Sequence, residues 1–358
     1  MCSRLSDGQA GTVVLVGRGA KKPRTNHGAS VDLHRGKPQA VAGRERILIN
    51  EEQSQETTCS CITWNVDGLR ALLKADSGRA ALQKLLAERP GVLCLLEHKL
   101  VPMGQKQDSD EAKEELEAVA ASYGYVCTWT FSSRGAWDGL VAMTPTSAPR
   151  PAEPSLHCAE CTSERRLLSL ELHGLHVLLV YAPNSGRRAA FRLEQWEPSI
   201  RAWIKTLHED GRKPVLYQGD LNVAHQRTLD CWGTTAAQWG SGKASGRTED
   251  EILAFEKLLE ECKLVDGFRK LHPTEASPTC WAQKKAGEEG QREYWKRYDY
   301  CLVSKQLLHL GEGAIDAAGC APPRLVDVRH REDAFAGGRP DHVPVESVVR
   351  YVPVGMIM

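Results

Sequence analysis

Apolar runs of strand length recur along this 358-residue chain, and each stops abruptly at polar residues. Ile62-Thr63-Trp64 runs into Asn65-Val66-Asp67-Gly68, Val92 to Leu96 runs into Glu97, and Val177 to Val180 runs into Tyr181-Ala182-Pro183-Asn184. The run from Pro214 to Gln218 ends in Gly219-Asp220-Leu221-Asn222, and Arg339-Pro340-Asp341-His342 leads into Val343-Pro344-Val345. A short, continuous apolar run marks a buried strand. Each strand would therefore deliver a carboxylate, amide, hydroxyl or imidazole to the end of a sheet, where α/β folds place their chemistry. A single motif of this kind is equally a turn, since Gly-Asp and Asn are common turn formers. Its recurrence predicts one assembled site.

Helical periodicities lie between these runs. Ser77 to Glu88 has helical apolar spacing with a serine cap and stops before Pro90, with Gly91 to Leu96 as the strand after it. Asp110 to Ser122 is a second predicted helix, closed by Gly124, and Ala189 to Leu207 a long amphipathic one. Thr248-Glu249-Asp250-Glu251 opens another, running through Leu259, with its acidic residues placed favourably against the helix dipole. Tyr125 to Phe131, Gly139 to Met143, Tyr298 to Val303 and Val343 to Val349 read as strands, and Arg165 to Val180 as a hairpin about His173-Gly174. Trp232 to Arg247 and Gln283 to Gln291 read as exposed loops. With no internal repeat and no mid-chain linker, the alternation predicts one layered α/β domain over residues 58–354. Residues 1–57, rich in Gly, Ser, Arg and Gln, read as a flexible basic tail.

Charge and cysteine content narrow the picture. Lys+Arg and Asp+Glu number 46 each, but residues 1–50 hold nine basic against three acidic residues, so the body is mildly acidic. Binding to nucleic acid would need a local positive patch. Lys21-Lys22-Pro23-Arg24 reads as a nuclear-import signal, and the acid-poor stretch around it also suits a mitochondrial or plastid transit peptide. Twelve cysteines without a secretory leader point to reduced thiols in an intracellular protein. Cys158 and Cys161, followed by His173 and His176, come near a Cys2His2 zinc spacing. The expected hairpin, however, points the two histidines along a strand ladder, and ordinary thiols are the reading kept. No apolar stretch approaches the roughly 20 residues that span a bilayer.

Phosphodiester hydrolysis suits the strand-end residues. It needs an activated water, neutralisation of charge on the phosphoryl oxygens, and help for the leaving oxygen. A hard divalent cation supplies the second through carboxylate ligands, for which Glu97 is the first candidate and Asp67 the next. Asp220 is placed to orient and deprotonate water while Asn222 and Asn65 donate hydrogen bonds. His342, with a buried carboxylate partner such as Asp299, suits charge stabilisation or proton transfer. Tyr181 and Asn184 are donors for a phosphate oxygen.

Trp64 to Arg70, Leu93 to Lys99, Tyr181 to Arg187, Gly219 to His225, Arg297 to Tyr300 and Asp341 to Pro344 resemble, in order, the motifs of the exonuclease III type apurinic/apyrimidinic endonucleases. Val265 to Pro273 matches as well, and the resemblance covers Cys59 to Val349. It implies a four-layer α-β-β-α sandwich of two packed mixed sheets. It also implies a monomeric base-excision-repair enzyme that cuts duplex DNA 5′ to abasic sites with Mg²⁺ or Mn²⁺, with 3′-phosphodiesterase or 3′→5′ exonuclease activity. Carried across, Asp67, Glu97 and Asp341 lie at the metal, and Asp220 activates water with Asn222. His342 paired with Asp299 faces the phosphate beside Asn65, Tyr181 and Asn184. Arg70, Arg187 and the 135–139 loop, with Trp137, track the DNA backbone.

Departures from the family pattern fall around the pocket that takes the flipped-out sugar. Cys280 stands where an aromatic is usual, and Lys296-Arg297-Tyr298 where Trp-Arg-Leu is typical, with Trp281, Trp295 or Tyr298 as replacements. Leu96 replaces a Gln beside Glu97, and Asp138 adds a negative charge to the loop expected at DNA. The rival readings are a phosphoesterase of the same superfamily acting on lipid head groups, inositol phosphates or RNA, and a non-catalytic DNA-binding or redox module.

Overall fold

The strand Val92–Leu96 is buried at every residue because a packed layer covers each of its faces. Val92, Cys94 and Leu96 enter one core and Leu93 and Leu95 another, following the alternation of side chains along a strand. The computed structural model describes residues 57–135, 137–209, 213–232, 245–281, 295–308, 322–334 and 340–352. The tail expected over 1–57, save Thr57, which begins the first strand, and most of the two expected loops lie outside the described residues.

In chain order the described strands are β1 (Thr57–Asn65), β2 (Val92–Leu96), β3 (Tyr125–Trp129), β4 (Leu140–Pro145), β5 (Leu167–Leu172), β6 (Leu175–Tyr181) and β7 (Val215–Asp220). They continue with β8 (Cys231–Trp232), β9 (Leu264–Asp266), β10 (Cys280–Trp281), β11 (Trp295–Lys296), β12 (Asp299–Ser304), β13 (Arg324–His330) and β14 (Val345–Tyr351). One sheet runs β13-β14-β1-β2-β4-β3 and the other β5-β6-β7-β12-β9, with β10-β11-β8 as a small third. Both large sheets are mixed: β1 and β2 pair in parallel, as do β6 and β7, among antiparallel neighbours.

The inner faces of the two sheets meet through Cys61, Cys94, Leu96 and Ala142 on one side and Leu168, Leu170, Leu179 and Leu216 on the other. Outside the first sheet, Ile62, Leu93 and Leu95 pack on Leu82, Leu85, Leu86 and Leu116 of the helices Asp76–Ala87 and Gln107–Ser122. Outside the second, Leu178, Val215 and Tyr217 pack on Trp196, Ile200, Phe255 and Leu258 of the helical stretch 189–209 and the helix Glu249–Glu261. This is the expected helix-sheet-sheet-helix sandwich. Gln218 bridges the layers: its amide nitrogen donates to the carbonyls of Cys61 at 3.0 Å and Val345 at 2.9 Å.

Several boundaries follow from local chemistry. Thr248 caps Glu249–Glu261 in a capping box with Glu251, as its sequence implies. Ser77 does not cap its helix, which starts one residue earlier, behind Ala75. There the amide of Ala75 bonds Leu72 O at the end of a short helix, Leu69–Lys74, that starts at the end of the Trp64–Arg70 motif and is too short to show an apolar period. Gln107–Ser122 likewise begins before Asp110. β13 has no apolar run because it is an edge strand with alternating exposure and a bulge between Leu325 and Asp327. The hairpin turn falls at His173 and Gly174, with φ of 49° and 78°, the paired positive values that a two-residue hairpin loop prefers. His173 stacks on Tyr351 at 3.6 Å, His176 lies 3.8 Å from Glu171, and Cys158 bonds Gln195. The two histidines of the zinc spacing thus serve contacts of their own, apart from the paired Cys158 and Cys161.

Candidate active site

Strand register assembles half of the site. Tyr181 is the parallel partner of Asp220 and Asp299 its antiparallel partner, so three functional side chains form a row across the inner face of the second sheet. Gly219 is required just before Asp220: its φ is 147°, and a Cβ there would sit 1.9 Å from Val180 O. Across the interface, β1 and β2 end in register at Asn65 and Leu96, and the chain then turns with φ of 46° at Asp67 and 59° at Glu97. Such left-handed values at non-glycine residues mark strained backbone of the kind found at functional sites.

Asn65 links the halves. Its amide nitrogen donates to Asp220 Oδ2 at 2.9 Å and to Glu97 Oε2 at 3.1 Å, and its oxygen accepts from Asp67 N at 3.1 Å. Tyr181 donates its hydroxyl to the same Glu97 oxygen at 2.9 Å. Asn222 holds Asp220 through a backbone N–H to Oδ1 at 2.8 Å, while its side-chain amide donates to Ala182 O and accepts from Asn184. His342 Nδ1 lies 2.7 Å from Asp299 Oδ2, and Trp64 fixes the backbone at this point by donating to His342 O at 2.9 Å.

Electrostatics divide the row by role. Burial, reinforced by the charge of Asp299, raises the Asp220 carboxyl to about 7, near the working range of a general base. Burial disfavours charge on His342, but the neighbouring Cys280 and Asp299 outweigh it and lift the imidazole well above its usual range. Burial and then Glu97 push the Tyr181 hydroxyl upward, which keeps it a donor. Asp341 is raised by burial and by Asp67 and Glu97, a crowding of negative charge that a divalent cation relieves. Three carboxylates so placed fit a hard metal ion.

The expected metal residues make different local contacts in addition. Asp67 and Glu97 share the ammonium of Lys99, which lies 2.9 Å from Glu97 and also bonds Asp67. Asp341 instead groups with His342 and Cys280, their ligand atoms within 4.8 Å of one another. Lys99 belongs to a motif legible in the sequence, but spacing gave it no role.

The outer contacts differ from the floor. Asn184, Arg187 and Trp137 are exposed, whereas Arg70 is engaged by Asp108. Asp138 does not add charge to a DNA-facing surface: its side chain is buried and paired with Arg166 at 2.6 Å. Leu96 lies wholly in the core. Tyr298 clusters with Cys280, Cys231 and Ala224, and Lys296 lies 5.0 Å over its ring.

Arg192 is a site residue that sequence reasoning missed. It is buried in the π-helical segment Arg192–Trp196 and donates to the carbonyls of Pro183 at 2.8 Å, Leu221 at 2.6 Å and Asn222 at 3.2 Å. It thereby ties the Tyr181–Asn184 turn to the Asp220–Asn222 turn. Its one sequence signal is a charge on the apolar face of an amphipathic stretch.

No family model matches the chain. An exodeoxyribonuclease of Streptococcus pneumoniae is 31% identical over 303 residues, covering 79% of this chain and 97% of that protein. One from Bacillus subtilis is 31% identical over 291 residues, covering 80% and 98%. Among solved structures, an AP endonuclease from Leishmania major superposes with a TM-score of 0.59 at 25% identity, covering 82% of this chain and 88% of that one. Fold and site thus define a metal-dependent nuclease of the α/β sandwich class. The chain belongs to the exonuclease III type family of DNA-repair nucleases.

Proposed function

We infer that the protein is a Mg²⁺-dependent (or Mn²⁺-dependent) endonuclease that cuts duplex DNA on the 5′ side of abasic sites, with accompanying 3′-phosphodiesterase or 3′→5′ exonuclease activity. The observation that carries this reading is the hydrogen-bonded set Glu97–Asn65–Asp220 facing the His342–Asp299 pair. Asp220 accepts the proton of the attacking water, held in orientation by Asn65 and by the Asn222 backbone. His342, kept protonated by Asp299, presents positive charge to the phosphoryl oxygens, and Tyr181 and Asn184 add donors beside it. Glu97, with Asp67 and Asp341, would hold the cation, which supplies further neutralisation of phosphoryl charge when bound.

In this reading the catalytic domain spans 58–354, follows a tail over 1–57, and acts as a monomer. The Lys21-Lys22-Pro23-Arg24 run is a nuclear address, with mitochondrion or plastid as the alternative destinations.

The test is nicking of a duplex carrying one tetrahydrofuran site, with Mg²⁺ added. The intact protein cleaves on the 5′ side, chelation stops it, and Asp220→Asn or His342→Ala lowers the rate by about 10³-fold or more. Cleavage that survives both substitutions removes the assignment.

A further inference from the structure

Cys280 and His342 face each other across an isolated β-bridge. With Asp341 they bring a sulfur, an imidazole nitrogen and a carboxylate oxygen within 4.8 Å of one another. Nδ1 of His342 is committed to Asp299, and the remaining ring nitrogen is turned to the Cys280 side chain, with which it hydrogen-bonds. Nearly all metal-bound histidines are oriented by a carboxylate, backbone carbonyl or water on the far nitrogen, and Asp299 supplies the first of these. Phosphodiester hydrolysis with a hard cation has no use for sulfur at this point, because Mg²⁺ takes oxygen ligands. Sulfur, imidazole and carboxylate together suit a borderline-soft ion, and three protein ligands with one open position is the pattern of accessible zinc sites. A tetrahedral zinc ion separates its donors by about 3.3–3.8 Å, so closing this trio takes side-chain movements of about an ångström. Cys280 and His342 are buried while Asp341 is half-buried, so an ion enters from the Asp341 side.

We propose that Cys280, Asp341 and His342 form a Zn²⁺ site that shares Asp341 with the carboxylates Asp67 and Glu97 but differs from them in donor chemistry, and that zinc bound there blocks cleavage by occupying Nε2 of His342 and drawing off Asp341. The Cys280 thiol and Nε2 of the protonated His342 each give up a proton to solvent as the metal–sulfur and metal–nitrogen bonds form. The blocking half rests on the catalytic reading of His342; the binding half does not.

Cobalt(II) is the probe for binding, because a thiolate ligand gives it a sulfur-to-metal charge-transfer band. The full-length protein titrated with Co²⁺ develops that band, Cys280→Ala lacks it, and a Cys158→Ala/Cys161→Ala protein keeps it. In the abasic nicking assay at fixed Mg²⁺, with each protein normalised to its own zinc-free rate, Cys280→Ala needs at least about tenfold more Zn²⁺ for half inhibition. A band that persists in Cys280→Ala, or none in the unaltered protein, overturns the site. A Cys280-dependent band with equal zinc sensitivity in both proteins overturns the blocking role. Failure of every protein to nick counts against the catalytic reading instead, and the cobalt band still judges the site.

Discussion

The floor of the site and its rim are built on opposite principles. Asp220 and Asp299 are 1% and 0% exposed, lie directly opposite each other in the strand register, and are held by Asn65, Asn222 and His342. Asn184 and Trp137 stand exposed on loops and Arg187 on a short helical turn. A floor residue can move only if two sheets move with it, whereas a rim residue changes without disturbing either core. Chemistry therefore belongs to the frame, and choice of substrate to what is attached to it.

The sharpest way to break this contrast is to remove one floor contact. Asp299→Asn takes the carboxylate from His342 and lowers cleavage by about 10³-fold or more, while affinity for uncleaved abasic duplex in chelator stays within about threefold; equal losses in both would erase the distinction. Arg192→Met leaves the bound carbonyls and Glu197 buried without their cation. It costs about 3–5 kcal/mol of stability in urea denaturation and lowers cleavage even where the protein remains folded. Acid probes the frame more gently. His330 is half-buried, 4.1 Å from the Phe268 ring, and the desolvation there, with Arg297 and His272 nearby, depresses its pKa well below the usual histidine value. The folded form therefore stays neutral where the unfolded chain takes up a proton. Stability falls as pH drops below about 6.5, by at most about 1.4 kcal/mol per unit for this group, and thermal melts of His330→Gln show a flatter acid limb. The smallest effect is at the rim: Arg187→Ala weakens binding to abasic duplex by less than about tenfold, reduces the salt slope by about one, and leaves kcat unchanged.

Legibility followed the same division. Tyr181, Asp220, Asn222 and Glu97 were readable because each ends a strand covered on both faces, and such strands appear in sequence as unbroken apolar runs. The Asp299–His342 pairing was readable through motif resemblance, although 43 residues separate the partners. Edge strand β13 was invisible, since one open face replaces the run with alternation and charge. Arg192 and Lys99 were missed for another reason: both act through contacts made only after folding, Arg192 with carbonyls of two turns and Lys99 with two carboxylates. Asp138 was misread because charge alone does not tell whether a side chain reaches solvent or an internal partner such as Arg166.

Gln218 sits two positions before Asp220, and its single amide nitrogen fastens the second sheet to two strands of the first. It works as a rivet set close to the cutting edge: sliding of one layer over the other is smallest where alignment to within an ångström matters most. The opposite ends of the sheets are then the place where the molecule can yield under heat or load while its working end stays true.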